Sequence, residues 1–250
     1  MAINVNTVYT TVLSILNKEQ RGYITPEEFN KLATQVQLEI FENYFEDLNQ
    51  QLRVPQADSE YANRQKNIDN CISIFKTIGN TTYNTAGGYF LPPSDLHRIG
   101  TVIYKDEKEL QRVERNDFLN INLSPLTKPT TQFPVYLYEQ VVQGTGGANT
   151  GETHIFVKPT TIVTAADITV SYIRKPADVV WGYQQLGGGT WTSGPYIYNS
   201  ATSTQFELDN TEQTEVILRI LAYAGVVIRD PQIVQAASQA VQSEEVNSKS

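Results

Sequence analysis

The sequence predicts an α+β protein in which helices at the two ends of the chain form one bundle and an antiparallel β-sandwich or barrel-like domain is inserted between them. Apolar residues recur at helical spacing before residue 80 and after residue 209. Between these ends, short segments alternate apolar and polar residues and are separated by Gly and Pro turn signals. The helices at each end have one apolar face that they cannot bury alone, so the economical arrangement brings the two ends together.

The first predicted helix carries apolar residues at helical spacing from Val5 to Leu16, and Gly22 ends this pattern. A third helix is predicted to begin near Asp58 and to end at Gly79 and Asn80.

The second helix has the clearest start signal in the chain. Thr25 can accept a hydrogen bond from the third helical amide, Pro26 suits the first helical position, and Glu28 can bond back to the cap. Apolar residues then recur until Pro55, so at about 1.5 Å per residue this helix is roughly 40 Å long. A helix of this length normally packs along a partner.

The middle of the chain predicts short strands. A half-buried strand from Phe133 to Val142 and a strand at Ile155 to Val157 form a β-hairpin, and Ile168 to Ile173 is a further strand. The last extended piece is Gln205 to Leu208. The hairpin tip and a second glycine loop are the predicted subunit- or tail-facing loops, with candidate residues Gly144, Gly146, Gly147, Gly187, Gly188, Gly189 and Trp191.

Helical spacing resumes after Asp209, which is a plausible cap with Glu212 three residues later, and a last helix restarts at Asp230 and Pro231. The predicted division is therefore a helical bundle from residues 1–80 and 209–243, a β insertion domain from 81–208, and a mobile tail from 244–250.

The composition excludes several classes of protein. Cys71 is the single cysteine, so disulfide frameworks and zinc knuckles are excluded, and the formal net charge of −8 is too acidic for a protein whose main function is to bind phosphate. No segment reaches the roughly 20 apolar residues of a membrane span, and the start of the chain lacks a signal sequence, so we expect synthesis in a cytoplasm. A weakly charged surface with 14 tyrosines suits extensive protein–protein contact.

No pattern predicts catalysis, a cofactor or a metal site. His97 and His154 belong to no metal-binding motif, and Cys71 lies among apolar residues of a predicted helix. Neither glycine cluster lies between a strand and a capped helix, as a phosphate-binding loop would. We therefore expect a protein that is not an enzyme.

An ordered set of segments carries a resemblance to a known family. The segment Tyr89 to Ile99 resembles the leucine-proline-x-aspartate-hydrophobic-x-arginine segment by which bacteriophage neck proteins pass from their helical part into their β part. Further matches follow in the same order at Val113–Leu119, Ser124–Leu126, Phe133–Tyr136, Phe156–Pro159, Tyr172–Pro176 and Glu212–Ala224. Together they resemble the head–tail neck and ring adaptor proteins of crAss-like and related podoviruses, similar in layout to the tail tubular protein A type. The stretch 181–204 departs from the compact adaptor pattern.

The resemblance implies a structural virion protein that is made and assembled in the bacterial cytoplasm. Such adaptors form dodecameric rings that join the portal to further neck or tail proteins. They surround the DNA channel without binding DNA sequence-specifically, and they have no membrane partner. An acidic lumen fits this function, because weak repulsion lets DNA slide.

A different class of function is also open at the sequence level. The aromatic residues Trp181, Tyr183, Trp191 and Tyr196 have ring faces that could stack on sugars, as in a carbohydrate- or ligand-binding β module that decorates a tail or capsid. The same aromatic residues could equally belong to a core or an interface.

Overall fold

A computed structural model describes residues 2–18, 23–53, 59–105, 107–140, 153–185, 196–227, 239 and 241–243. The chain divides into two compact units. The first, here called the helical unit, comprises Met1–Ile74 and Pro176–Ser250, and the second, the β unit, comprises Phe75–Lys175. Helices and mostly antiparallel strands occur together, which confirms the predicted α+β class.

The helices are α1 (Val5–Lys18), α2 (Pro26–Arg53), α3 (Ser59–Ser73), α4 (Arg115–Asn120) and α5 (Gln213–Val227). The strands are β1 (Lys76–Asn80), β2 (Thr82–Asn84), β3 (Tyr89–Leu91), β4 (Leu96–Tyr104), β5 (Lys108–Glu109), β6 (Gln111–Arg112), β7 (Val135–Glu139), β8 (His154–Lys158), β9 (Ile168–Arg174), β10 (Tyr183–Gln185) and β11 (Tyr196–Tyr198).

In the helical unit, α2 contacts both α3 and α5, and α5 also contacts α1. The apolar residues that the helical spacing placed on one face are buried, among them Val8 and Val12 of α1, Phe29 and Val36 of α2, and Ile220 of α5. The paired strands β10 and β11 belong to the same unit.

The β unit contains two sheets, one in the order β1-β9-β4-β5 and the other in the order β2-β3-β8-β7-β6. A single core joins them, because Val102 and Val170 of the first sheet and Phe90 and Ile155 of the second belong to one buried cluster. The chain passes between the sheets at both edges, through Thr81 from β1 to β2 and through Leu110 from β5 to β6. This is a sandwich-like arrangement.

The predicted hairpin is confirmed by the antiparallel pairing of β7 with β8, in a register that places Val135 opposite Lys158 and Glu139 opposite His154. The predicted alternation of buried and exposed residues is wrong at its start, where Val135, Tyr136 and Leu137 are all buried. Tyr136 faces the core between the sheets, and the short helix α4, which the sequence did not predict, packs against β7.

Two further segments differ from the prediction. The third helix ends at Ser73 rather than at Gly79, because Lys76–Asn80 forms β1 and gains a five-residue ladder with β9. The described residues 176–185 and 196–208, placed by the sequence in the β insertion, cluster with the helices. Within that stretch Gln205 to Leu208 forms no strand, although Phe206 N donates to Ile3 O. The predicted last helix is described only at residues 239 and 241–243, and the tail 244–250 lies outside the described residues.

Candidate interaction surface

The capping residues of α2 lie together as a reciprocal pair. Glu28 N donates to Thr25 Oγ1 at 3.3 Å, while Thr25 N donates to Glu28 Oε2 at 2.9 Å. Pro26 is the first helical residue. Two hydrogen bonds from Thr25 hold the pKa of the Glu28 carboxyl below its usual range. The larger contribution comes from the backbone N–H of Thr25 and the smaller from its hydroxyl. This cluster fixes the start of α2, the longest helix of the described residues.

The other candidate residues from the sequence lie outside the described residues. These are Gly144, Gly146, Gly147, Gly187, Gly188, Gly189 and Trp191. Their contact with subunits or tail proteins stays a prediction.

Polar side chains of α2 tie residues 177–181 to the helical unit. The buried Gln37 donates through Nε2 to Ala177 O at 2.7 Å and accepts from Glu207 N at 2.8 Å. About two turns earlier on the helix, Asn30 Oδ1 accepts from Trp181 N at 2.7 Å. Because these bonds satisfy backbone groups that no strand pairs, they explain why the segment belongs with the helices rather than with the β insertion.

Trp181, one of the candidate sugar-stacking residues, is buried. Its indole Nε1 donates to Asn6 Oδ1 at 3.0 Å, and its ring lies 4.3 Å from the ring of Tyr9. Tyr183 and Tyr196 are partly exposed, but their rings stand at 82° to each other with centroids 5.0 Å apart. Trp181 is therefore a core residue whose ring is covered, and the rings of Tyr183 and Tyr196 do not share one flat stacking face.

A buried arginine links two helices of the helical unit. The Arg219 guanidinium on α5 pairs with Glu39 of α2 at 2.5 Å and with Glu215 of its own helix at 2.6 Å. Tyr223 donates to the second oxygen of the Glu39 carboxylate at 3.0 Å. This network satisfies a charge that sits within an otherwise apolar stripe, and it leaves α5 joined to α2 by directional contacts.

The histidines and the cysteine occupy structural positions. His154 is buried on β8 and stacks on Tyr89 at 4.0 Å between ring centroids, whereas His97 lies on β4 in the other sheet. Cys71 is half-buried on α3, and burial raises the pKa of its thiol. Across the described ranges, no three His, Cys, Asp or Glu side chains lie together as metal ligands would.

The three most exposed large apolar side chains of the described residues, Leu126, Leu123 and Phe133, lie with Leu119 on one segment of the β unit, residues 119–133, here called the apolar loop. Leu119, Leu123, Leu126 and Phe133 have exposed fractions between 59% and 97%. The sequence produces this exposure locally, because Pro125 and Pro129 prevent the leucines after α4 from continuing as a helix with a buried face.

The apolar loop is held in one shape by its own hydrogen bonds and by β8. Lys128 N donates to Ser124 O at 3.1 Å, and Phe133 N donates to Thr130 O at 3.1 Å. Phe118 lies just before the loop, and Lys158 of β8 donates to its carbonyl oxygen at 3.2 Å. The Lys158 ammonium also lies 4.2 Å from the centre of the Phe118 ring. Burial lowers the pKa of this ammonium. An ordered loop that exposes leucine and phenylalanine is typical of a surface that another molecule covers.

A polar cleft of about 580 Å³ is lined by residues 112–116 and 137–139, which precede and follow the apolar loop in sequence. Arg115 forms an ion pair with Glu139, and the Arg112 guanidinium lies 5.8 Å from the centre of the Tyr138 ring. Acidic and basic groups therefore balance in the cleft, which gives it no strong preference for an anion or a cation.

The sequence matches no protein-family model and no curated protein. In the described part of the chain, no helix combines the length and hydropathy that a membrane crossing requires.

Proposed function

We propose that this protein is a structural component of a tailed-phage virion, a ring-forming head–tail adaptor or neck protein that surrounds the DNA channel. The apolar loop is the observation that carries the proposal. A large apolar side chain contributes roughly 1.5–3 kcal/mol when it is fully buried, and four of them stand exposed on one ordered segment. Such a surface supports a part that is completed by its neighbours in an assembly.

The charge distribution supports the same function. Residues 119–133 contain one charged residue, Lys128, whereas the whole chain has a formal net charge of −8. Depletion of charge is characteristic of the centre of protein interfaces. The acidic remainder suits a channel wall, because it does not hold the phosphates of passing DNA.

The resemblance of the ordered segments to phage neck proteins names the partners in this proposal. The first partner is the chain itself, in a closed ring for which the resemblance implies twelve copies. The others are the portal protein and further neck or tail proteins. Rotationally related heterologous contacts close such a ring without a free edge. The protein is then located in the virion after assembly in the host cytoplasm.

The test combines electron microscopy of the purified full chain with mass spectrometry of virions that carry its gene. We expect rings with a central channel, formed by the protein alone or with its portal, and we expect the protein in the particle. The double variant Leu123→Ser with Leu126→Ser is expected to lose the rings, whereas Val163→Ser, at an exposed apolar position of the same unit, is expected to keep them. A stable monomer that is absent from the particle overturns the proposal.

The ligand-binding alternative depends on the partly exposed Tyr183 and Tyr196 of the paired strands β10 and β11. A glycan array of the full chain separates it from the adaptor. Glycan binding that is lost in Tyr183→Ala would favour the alternative, and the adaptor proposal expects no glycan signal above background.

A further inference from the structure

The β unit has a second exposed apolar feature, on the strand β1. Ile78, at the centre of that strand, is 67% exposed, and β1 forms the edge of its sheet because it pairs with β9 alone in the strand order of the described residues. An apolar side chain on an edge strand is the arrangement that proteins normally avoid unless a partner covers it.

The hydrogen-bond pattern places the free backbone groups of β1 beside Ile78. Arg174 N donates to Phe75 O at one end of the β1–β9 ladder, and Thr81 N donates to Ile168 O at the other. In an antiparallel pair the bonded residues alternate, so Thr77 and Gly79 also face β9. The amide and carbonyl of Ile78 therefore point away from β9, toward the open edge.

The apolar loop and β1 lie at opposite edges of the β unit. The strands β1 and β2 are the outer strands at one edge of the two sheets, while β5 and β6 are the outer strands at the other. The apolar loop connects α4, which packs on β7, to β7 itself, and β7 lies next to β6. Two complementary surfaces on opposite edges of one unit allow identical copies to join head to tail.

The charges favour a second copy as the occupant. Residues 119–133 and residues 74–84 contain no Asp or Glu, and each segment carries a single lysine. Two copies of a chain with net charge −8 can meet through these surfaces without opposing their acidic groups. A lipid surface is less suited to the loop, because recognition of anionic lipids normally uses a cluster of about four to eight basic residues.

We propose that the apolar loop of one copy packs on the exposed edge of β1 in the next copy, with Leu126 and Leu123 against Ile78. This contact rests on the proposed ring function and specifies which surfaces form the ring. It is heterologous, so each copy uses its loop toward one neighbour and its β1 edge toward the other.

Single-cysteine variants test the contact in the full chain. The native thiol is removed with Cys71→Ser, and Leu126→Cys or Ile78→Cys is then introduced into separate preparations. Both introduced positions are exposed, so the fold tolerates them. The preparations are incubated alone or mixed, treated with a short flexible bismaleimide, and separated on a denaturing gel. Val163→Cys mixed with Ile78→Cys is the matched control, because Val163 is exposed on the same unit but outside both surfaces.

We expect a cross-linked dimer in the mixture of Leu126→Cys with Ile78→Cys, and none in either variant alone or in the control mixture. A chain that carries both cysteines should give a ladder of cross-linked oligomers. The absence of a dimer in the mixture overturns the proposal, and so does a dimer of Leu126→Cys alone, which would indicate a symmetric contact. Binding of the chain to anionic vesicles, lost in Leu126→Ser and accompanied by no cross-link, also overturns it.

The outcomes separate this contact from the proposed function. Rings seen by electron microscopy without the Leu126–Ile78 cross-link leave the adaptor function standing and overturn the contact. A cross-linked ladder from a protein that is absent from virions supports the contact and overturns the adaptor function.

Discussion

The helical unit and the β unit differ in what they leave at the surface. In the described residues of the helical unit, Tyr23 is the most exposed large apolar side chain at 54%, and even the guanidinium of Arg219 is buried in an ion-pair network. The β unit instead exposes Leu126 at 97% on an ordered loop. Among the described residues, the β unit therefore exposes its large apolar side chains to a greater extent than the helical unit does.

The two units also hold their irregular segments differently. The helical unit uses buried amides such as Gln37 to satisfy the backbone of residues 177–181, whereas the apolar loop bonds mainly to itself and to Lys158. Substitutions should therefore cost much stability in the first unit and little at the apolar loop. Four variants, ordered by their expected effect on the free energy of unfolding, test this contrast.

The largest effect is expected from Arg219→Ala. Removing the guanidinium leaves the Glu39 and Glu215 carboxylates without their shared cation. The loss of one partner of a fully buried ion pair costs about 3–5 kcal/mol, and because these two side chains are 35% and 19% exposed we expect the lower end of that range. Denaturant unfolding followed by tryptophan fluorescence reports on the helical unit, because neither tryptophan occurs within Phe75–Lys175. Arg219→Lys is the control and should lose less, since it keeps the charge. A loss below about 1 kcal/mol would show that the network is not important for stability.

A smaller loss, about 2 kcal/mol, is expected from Gln37→Ala, because the Ala177 carbonyl and the Glu207 amide both lose a partner. Hydrogen exchange should rise in residues 177–181 and stay unchanged in β8 and β9 of the other unit. Gln37→Glu keeps an acceptor for Glu207 N but sets a buried carboxylate oxygen against the Ala177 carbonyl, so it should lose at least as much stability as Gln37→Ala. An equal loss of exchange protection in both units would show that the effect of the Gln37 hydrogen bonds is not confined to the helical unit.

The capping box of α2 should contribute about 1 kcal/mol, measured by Thr25→Ala. Its pH dependence has a defined sign. The pKa of Glu28 is lower in the folded chain than its ordinary value of 4.5, so the contribution is present above that value and is lost as pH falls through the folded pKa. The Glu28→Gln variant should therefore lose stability less steeply than the native chain below about pH 4.5. Parallel acid-unfolding curves for the two proteins would exclude this contribution.

The smallest effect on stability is expected from Leu126→Ser, within about 0.5 kcal/mol, because the side chain is almost fully exposed. The matched variant Leu110→Ala changes a buried leucine of the same unit and should cost about 2–5 kcal/mol. Circular dichroism during thermal unfolding compares the two. A large loss in Leu126→Ser would mean that the leucine supports the fold of its own chain rather than contact with a neighbour.

The strongest predictions from the sequence concern features formed by residues close together in the chain. The Thr25–Pro26–Glu28 pattern marks the start of α2 because capping depends only on residues close in the chain. The β7–β8 hairpin was predictable from two apolar segments around a glycine-rich stretch. Asp209 caps the 3₁₀ turn before α5 by accepting from Thr211 N.

The remaining features depend on distant partners. The segment after Ser73 fits a helix by its apolar spacing, and its strand conformation comes from pairing with β9, nearly a hundred residues away in sequence. The ion pair of Arg219 with Glu215 could have been predicted, because Arg219 lies within an apolar stripe and four residues after Glu215. The apolar loop was missed as a surface, although Leu119, Leu123 and Leu126 stand among Asn, Ser and Pro residues that offer no helix or strand to bury them.

The chain enters and leaves the β unit at two neighbouring points. Phe75 begins the unit, Lys175 ends it, and Arg174 N donates to Phe75 O at 2.9 Å, so the two ends are held side by side. Domains whose termini are close together are readily inserted and exchanged. Recombination at these two points could replace the whole β unit without interrupting any described helix of the helical unit. A lineage could in this way change what the protein attaches to while inheriting its scaffold intact.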